Sequence, residues 1–404
     1  MWENFTPAPL HPRTPAQLTK EALMKITAVK ATTLQGYKDW NYIRIETDEG
    51  ISGLGEAHPG EGIGDLVVKR LRPLLLGQNP LEVEPLYSHM IARTIGQSVG
   101  GSMLGAIGGV ETALWDIAGQ ALGVPVYRLL GGKYRDRLRL YADVGRGRNR
   151  TNTPEAWAER AQEGVADGYQ ALKFDIDHSA DELQHDPVNR GLSLAELDKM
   201  TALVAAVREA VGAGVDLCID CHGLYNVRDA VLLARRLEPF NLMFLEDPVP
   251  PENIEAMGKV TASTSIPICT GEWVHRRDGF RPLIQAQACD MLHVDVSATG
   301  GMLEAKKIAD LADLYYMPFA AHNIVSPLGM VAASHVCAAV RNLHSMELPY
   351  HADQVPWRWD LVQSDRPLIE GGMFVVPEGP GLGVALDEAV ARAHLKPGYG
   401  FFEG

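Results

Sequence analysis

Five cysteines in a chain of 404 residues are too few, and odd in number, to form a disulfide framework. Cys218 and Cys221 make a C-x-x-C, but on a strand their thiols face opposite sides, which argues against zinc or redox use. No apolar run reaches the roughly 18 residues needed to span a bilayer. The opening stretch, MWENFTPAPLHPRTPAQLTKEALM, holds four prolines and no apolar h-region, so residues 1–24 read as a surface-draped extension and not as a signal peptide. These absences point to a cytoplasmic protein without a membrane partner. Positive charge is also scarce: a formal net charge of -14 at pH 7 argues against nucleic acid as a partner. It also means that an anionic substrate needs local cations, and GRGRNR, with Arg146, Arg148 and Arg150, is the one compact basic cluster that could supply them. No glycine-rich dinucleotide fingerprint follows the first strand of the alternating region, which weakens a Rossmann reading.

What the chain does have is length and apolar content, 46% hydrophobic, enough for a large core and more than one domain. Its organisation comes in two textures. From Lys25 to Pro59, ITAVKATTLQ, NYIRIETDEG and ISGLGEAHP read as short strands with Asp48-Glu49-Gly50 as hairpin punctuation. The helical patterns LEVEPLYSHMIAR and LGAIGGVETALWDIAGQALG follow, the second stopped by Gly123 and Pro125. Strands followed by segregated helices predict a small α+β domain. From about Leu140 the pattern becomes strand, helix, strand, helix, through LRLYADV, ALKFDID, DLCID, LMFLEDP, IPICTGE, MLHVDV, YMPFAAH and HSMEL. Regular alternation is the mark of a parallel sheet, and eight strands predict a closed barrel of the α/β class.

Nearly every one of those strands ends in an ionisable residue. Lys173 and Asp175 end the second, Asp220 the third with His222 two residues on, Glu246 the fourth, Glu272 the fifth, Asp295 the sixth, His322 the seventh and Glu347 the eighth. That is one group per strand–helix unit. The C-terminal ends of barrel strands converge on one mouth, so these residues are expected neighbours. Three carboxylates on adjacent strands, Asp220, Glu246 and Glu272, would drive one another toward protonation unless a cation neutralised them. An all-oxygen set suits a hard ion, and magnesium keeps positions for water and substrate. Asp295 lies one unit before His322, where its carboxylate can accept the imidazole's second N–H, fix the tautomer and raise the basicity.

Here the residues reach a resemblance. The ordered set, with ALWDIAGQALGVPVYRLLGG near the end of the first domain and GPGLGVALDE near the C-terminus, resembles the mandelate racemase subgroup of the enolase superfamily. Within it, ALKFD, DCHGLYN and AAHNIVSPLG resemble the gluconate and galactonate dehydratase branch. The resemblance implies a modified TIM barrel, (β/α)7β, at 139–375, an α+β capping domain at 25–138 and a C-terminal segment, 376–404, packing back on the cap. By it, Asp220, Glu246 and Glu272 match the metal ligands, Asp295 and His322 the basic dyad, His222 the general acid, and Glu347 a glutamate near the substrate carboxylate. Loops around LQGYKDWN and AHPGEGIG would close over the substrate's distal end, with Trp40 and His58 as candidate contacts. Arg146 and Asp175 join them as candidate substrate-binding residues.

One departure is informative. The subgroup's racemase carries Lys-x-Lys at the end of the second strand, whereas this chain has Lys173-Phe174-Asp175. Racemisation wants a base on each face of the carbon acid, and one is missing. Lys173 is left to neutralise the substrate carboxylate or the enediolate formed from it. The implied reaction is dehydration of an acid sugar, D-gluconate or D-galactonate, to a 2-keto-3-deoxy acid by a magnesium-dependent hydro-lyase. Epimerisation or cycloisomerisation on the same site is the first alternative, and a non-catalytic acid-sugar-binding protein the second. A homo-oligomer is expected from the family.

Overall fold

The computed structural model describes residues 24–147, 151–184, 188, 191–350 and 355–402. The extension before Met24, and Arg148 and Arg150, lie outside the described residues.

Three antiparallel strands open the fold: β1 (Ile26–Gln35), β2 (Asp39–Thr47) and β3 (Ser52–Ala57), with β2 central. β-Branched and aromatic residues dominate β2, and its Ile43 and Ile45 face a cap core shared with helices α1 (Val83–Arg93) and α2 (Gly101–Leu122). The approach of β3 to α2 is close because β3 carries glycines: a Cβ on Gly53 or Gly55 would sit 2.1 Å from the carbonyl oxygen of Ala113 or Gly109.

The alternating region forms eight parallel strands: β4 (Arg137–Gly145), β5 (Ala171–Asp175), β6 (Asp216–Asp220), β7 (Phe244–Glu246), β8 (Ile268–Thr270), β9 (Met291–Asp295), β10 (Phe319–His322) and β11 (Leu343–Pro349). They are hydrogen-bonded in chain order, and β11 pairs back on β4 to close the barrel. Seven helices fill the crossovers: α3 (Pro154–Ala166), α4 (Leu194–Val211), α5 (Val227–Leu237), α6 (Ile254–Thr261), α7 (Arg276–Gln285), α8 (Met302–Asp313) and α9 (Pro327–Ala339). Their starts are written locally. Ser193 and Glu196 make a reciprocal capping box on α4, and Asn226 and Asn253 accept from the first-turn N–H groups of α5 and α6. The fold is thus a (β/α)7β barrel with an α+β cap, as the resemblance implied. No helix among the described residues is long and apolar enough to cross a membrane.

Strand alternation sorts the barrel's side chains. Ile219, Leu245, Leu292 and Phe319 pack outward against the helices, while Tyr141, Ala171, Cys218, Phe244, Cys269, Met291 and Ala320 form a separate plug inside. Cys218 and Cys221 accordingly fall in different clusters, inside and outside, and all five cysteines are free.

Two buried cap carboxylates dock the domains. Glu111 of α2 accepts from the backbone N–H groups of Met302 and Leu303 at 2.8 and 3.0 Å, and Glu56 of β3 accepts from those of Ser326 and Gly329, both at 2.8 Å. Each thus caps the start of the barrel helix, α8 or α9, where unpaired N–H groups and the helix dipole favour an anion. Burial nevertheless pushes both carboxyls up to about 7, against those hydrogen bonds. The chain's end returns to the cap: Gln35 N–H donates to the His394 carbonyl, Lys396 N–H to that of Thr33, and Arg44 pairs with Glu388 at 2.7 Å.

Candidate active site

The strand ends meet at one mouth, with registers that set side chains next to one another. Asp175 lies beside Asp220, Asp220 beside Glu246, and Asp295 beside His322. Glu272 stands two residues past β8, after Gly271, whose φ of 143° and close approach to the His293 carbonyl leave no room for a side chain.

Asp220, Glu246 and Glu272 each bring a carboxylate oxygen within 4.8 Å of the other two. All three are buried. Oε1 of Glu272 is buried without a hydrogen-bond partner among the described residues, an orphan that a cation would satisfy. The residues present therefore fit a hard divalent ion. Asp175, Asp220 and His222 form a second grouping of the same closeness, sharing Asp220 with the first.

Lys173, 2% exposed, reaches Asp220 at 2.9 Å, Glu246 at 3.2 Å and Glu347 at 2.8 Å. Burial alone would lower its pKa, but those carboxylates hold it well above the usual lysine value. Lys173 is therefore a fixed positive charge on the mouth's floor. Glu347 is further tied by the backbone N–H of Asn323, which donates to Oε2 at 3.1 Å.

His322 and Asp295 form a dyad. Nδ1 of His322 is 2.7 Å from Oδ2 of Asp295, and Nε2 faces Glu272 at 2.8 Å. Asp295 is pinned on its other oxygen by the Ser297 hydroxyl at 2.6 Å and the Ala298 N–H at 2.8 Å. Burial works against charge on the imidazole, but Glu272, Glu347 and Asp295 outweigh it and hold His322 well above the usual histidine range. Burial likewise opposes charge on Asp295, yet His58 and His322 keep it well below the carboxylate range. His58 comes from the cap: its Nδ1 lies 3.1 Å from the Ser297 hydroxyl and 3.6 Å from Asp295.

His222 stands on the opposite wall, since β6 and β10 are four strands apart in a ring of eight. Its φ of 46° turns the chain out of the strand, and its N–H donates back to Asp220 at 2.9 Å. Nδ1 faces Asp177 at 3.1 Å and Nε2 faces Asp220 at 3.6 Å. Burial would lower its pKa, but the charges of Asp220 and Asp177 raise it to about 11. Trp273, partly exposed, tilts over the ring at 6.2 Å between centroids.

The remaining candidates are spread around this centre. Asp175 is largely buried, and burial with the neighbouring charges of Asp143 and Asp220 pushes its carboxyl well up. Arg146 pairs with Asp177 at 3.4 Å. Trp40 is fully buried, edge-on to Tyr37 and to Trp357.

Sequence reasoning passed over several groups that the fold brings here. His293 lies inside the barrel with Nδ1 2.5 Å from Glu246 and Nε2 against the Tyr141 hydroxyl. Burial drops it to about 3, so the ring is neutral: its Nδ1–H donates to the Glu246 carboxylate and its Nε2 accepts from the Tyr141 hydroxyl. Its signal was the spacing His293-Val294-Asp295, which puts it on the inward face with the dyad's aspartate. Asp247, fully buried, binds the Thr270 hydroxyl directly after Glu246. Asp177 was also missed; it lies two residues past the end of β5.

Comparison with known proteins agrees with this geometry. Residues 16–131 match the mandelate racemase / muconate lactonizing enzyme N-terminal domain, and residues 156–390 match the enolase C-terminal domain-like family. The D-xylonate dehydratase of Haloferax volcanii is 43% identical over 94% of this chain and 91% of its own. A D-galactonate dehydratase of Xanthomonas oryzae pv. oryzae is 34% identical over 93% and 95%. Among solved structures, a mandelate racemase/muconate lactonizing enzyme-like protein from Rubrobacter xylanophilus superposes with a TM-score of 0.89 at 42% identity, over 95% of this chain and 100% of that one. The 3,6-anhydro-D-galactonate cycloisomerase of Zobellia galactanivorans scores 0.80 at 28% identity, over 92% and 99%. The chain belongs to the mandelate racemase / muconate lactonizing enzyme family of the enolase superfamily, and within it stands with the acid-sugar dehydratases.

Proposed function

We propose that this enzyme is a hydro-lyase that removes water from a five- or six-carbon aldonic acid, D-xylonate, D-galactonate or D-gluconate, to give a 2-keto-3-deoxy acid. The observation that carries the reading is the pair of histidines on opposite barrel walls, one of them paired with a strand-end aspartate, on either side of the three-carboxylate group.

Asp220, Glu246 and Glu272 would hold magnesium, which supplies Lewis-acid stabilisation of the charge that develops on the substrate carboxylate. Lys173 faces the same charge from the floor and lowers the cost of the enediolate. With Glu272 committed to the cation, His322 would lose the nearest charge that favours a proton on Nε2; oriented by Asp295, it then takes the C2 proton there. His222, protonated, gives a proton from Nε2 to the C3 hydroxyl, which leaves as water. The enol left behind tautomerises to the ketone. Removal of the proton and of the hydroxyl toward opposite walls suits an anti elimination. Glu347, Asp175 and the cap's His58 then remain to read the carboxylate and hydroxyls; Trp40, fully buried against Tyr37 and Trp357, offers a substrate no open face.

The test is to incubate the magnesium-loaded protein with a panel of four-, five- and six-carbon aldonates and assay for 2-keto-3-deoxy product. One or two strong substrates are expected. Deuterium entering C2 of recovered substrate from heavy water, with no loss of water from any sugar, would replace dehydration by epimerisation.

A further inference from the structure

We infer that Asp177 is a positioning residue for the acid, holding the His222 imidazole so that Nε2 faces the substrate; the inference rests on the dehydratase reading above.

Asp177 follows β5 by two residues, in the tight connection where the Ile176 N–H donates to the Asp220 carbonyl at 2.9 Å. That bond stitches the end of β5 to the end of β6, so Asp177 arrives alongside the residue after Asp220's turn. The carboxylate is 6% exposed, and its two oxygens have different company. Oδ2 faces Arg146 at 3.4 Å and the His178 imidazole at 3.5 Å. Oδ1 lies 3.1 Å from Nδ1 of His222, an ion pair without hydrogen-bond alignment, and neither of those two buried atoms has a hydrogen bond among the described residues.

The consequence is orientational. Backbone bonds tie the turn around His222, the Cys221 and Gly223 N–H groups donating to the Glu246 and Asp247 carbonyls, but they do not fix the χ angles of its side chain. Two contacts do it instead: Asp177 from behind and the tilted Trp273 ring from the side. With Nδ1 turned to Asp177, the ring's other nitrogen is the one that points inward, toward Asp220. Arg146, from the end of β4, holds Asp177 in turn. The reading therefore moves Arg146 from substrate binding to the support of an acid: three successive strands each contribute one member of an Arg146–Asp177–His222 line.

In the reaction, the C2–H pair stays on carbon as its proton goes to His322. The C3–O bond then breaks as its oxygen takes the His222 proton. Asp177 touches neither reacting atom and should affect only the second event. Three measurements on the full-length magnesium enzyme separate this from a structural role, with Asp177→Asn, which keeps volume and loses charge, beside Asp177→Ala. Dehydration should slow by about ten- to a hundred-fold, at or below the low end of what general-acid catalysis contributes, because the acid is misplaced and not removed. A 3-deoxy aldonate, which cannot eliminate, should exchange its C2 hydrogen with heavy water at the wild-type rate. A 3-deoxy-3-fluoro aldonate, whose fluoride leaves without a proton, should lose fluoride at a rate close to wild type. Unchanged dehydration overturns the assignment, and so does parallel loss of C2 exchange, which would mean general damage to the site.

Crystal structures of the wild type and Asp177→Ala give an answer independent of turnover. A rotated or displaced His222 ring supports positioning; an unmoved ring overturns it, whatever the rates. If the wild type dehydrates no sugar on the panel, the reaction reading fails, while ring position still decides what Asp177 does.

Discussion

The two histidine–aspartate pairs at the mouth are built differently. His322 and Asp295 are register partners on neighbouring strands, so the sheet itself sets their 2.7 Å contact. His222 and Asp177 both stand beyond their strands, on turns, and meet at 3.1 Å through loop geometry and a supporting arginine. The first pair is held by backbone ladders, the second by side chains. One barrel mouth thus carries a pair set by strand register and a pair set by side-chain contacts beyond the strands.

The sharpest way to break the comparison is to remove each histidine. His322→Asn should abolish both C2 exchange and dehydration, a fall on the order of 10³-fold or more, with magnesium affinity by calorimetry nearly unchanged. Retained turnover would end its role as base. His222→Asn should lower dehydration by about 10²- to 10³-fold and leave C2 exchange of a 3-deoxy aldonate in place; loss of both would merge the two pairs into one function. A smaller effect is expected from the barrel interior. His293→Gln, read by magnesium titration, should weaken binding about ten- to a hundred-fold, as loss of a partner behind a ligand does elsewhere, because Glu246 loses the group that orients it.

The last prediction concerns docking and is read in stability, not in rate. Glu111 has its carboxyl raised from 4.5 to about 7 by burial. A carboxyl raised in the folded state contributes stability that is fully present below its unfolded value and lost as pH rises through the folded one. Wild-type stability relative to Glu111→Gln should therefore fall between about pH 4.5 and 7, by roughly 3 kcal/mol at most. Denaturant midpoints of the two proteins across that interval measure it; parallel curves would show that Glu111 does not titrate there.

The same contrast explains what could be read in advance. Alternating strand and helix patterns and one charge per strand end made the barrel and its mouth legible, because period-two alternation and closure leave few other arrangements. The His322–Asp295 contact was legible for the same reason. Asp177 and Asp247 were not, since each lies just past a strand, where the backbone turns and alternation no longer tells direction; Asp247 has a φ of 37°. His293 keeps the alternation but reads as ordinary core without its partners Glu246 and Tyr141, which come from other strands. Glu56 and Glu111 give no local sign of docking, because the barrel N–H groups they accept from lie 270 and 191 residues away in sequence.

Those two glutamates bear on how the domains could be exchanged between relatives. They clasp α8 and α9, the helices that directly follow the strands carrying Asp295 and His322. A cap grafted from another member would also change the anchors of the very units that hold the proposed base. On the proposed roles, specificity and proton abstraction would be inherited together, and a graft that carries both carboxylates with it should disturb the dyad least.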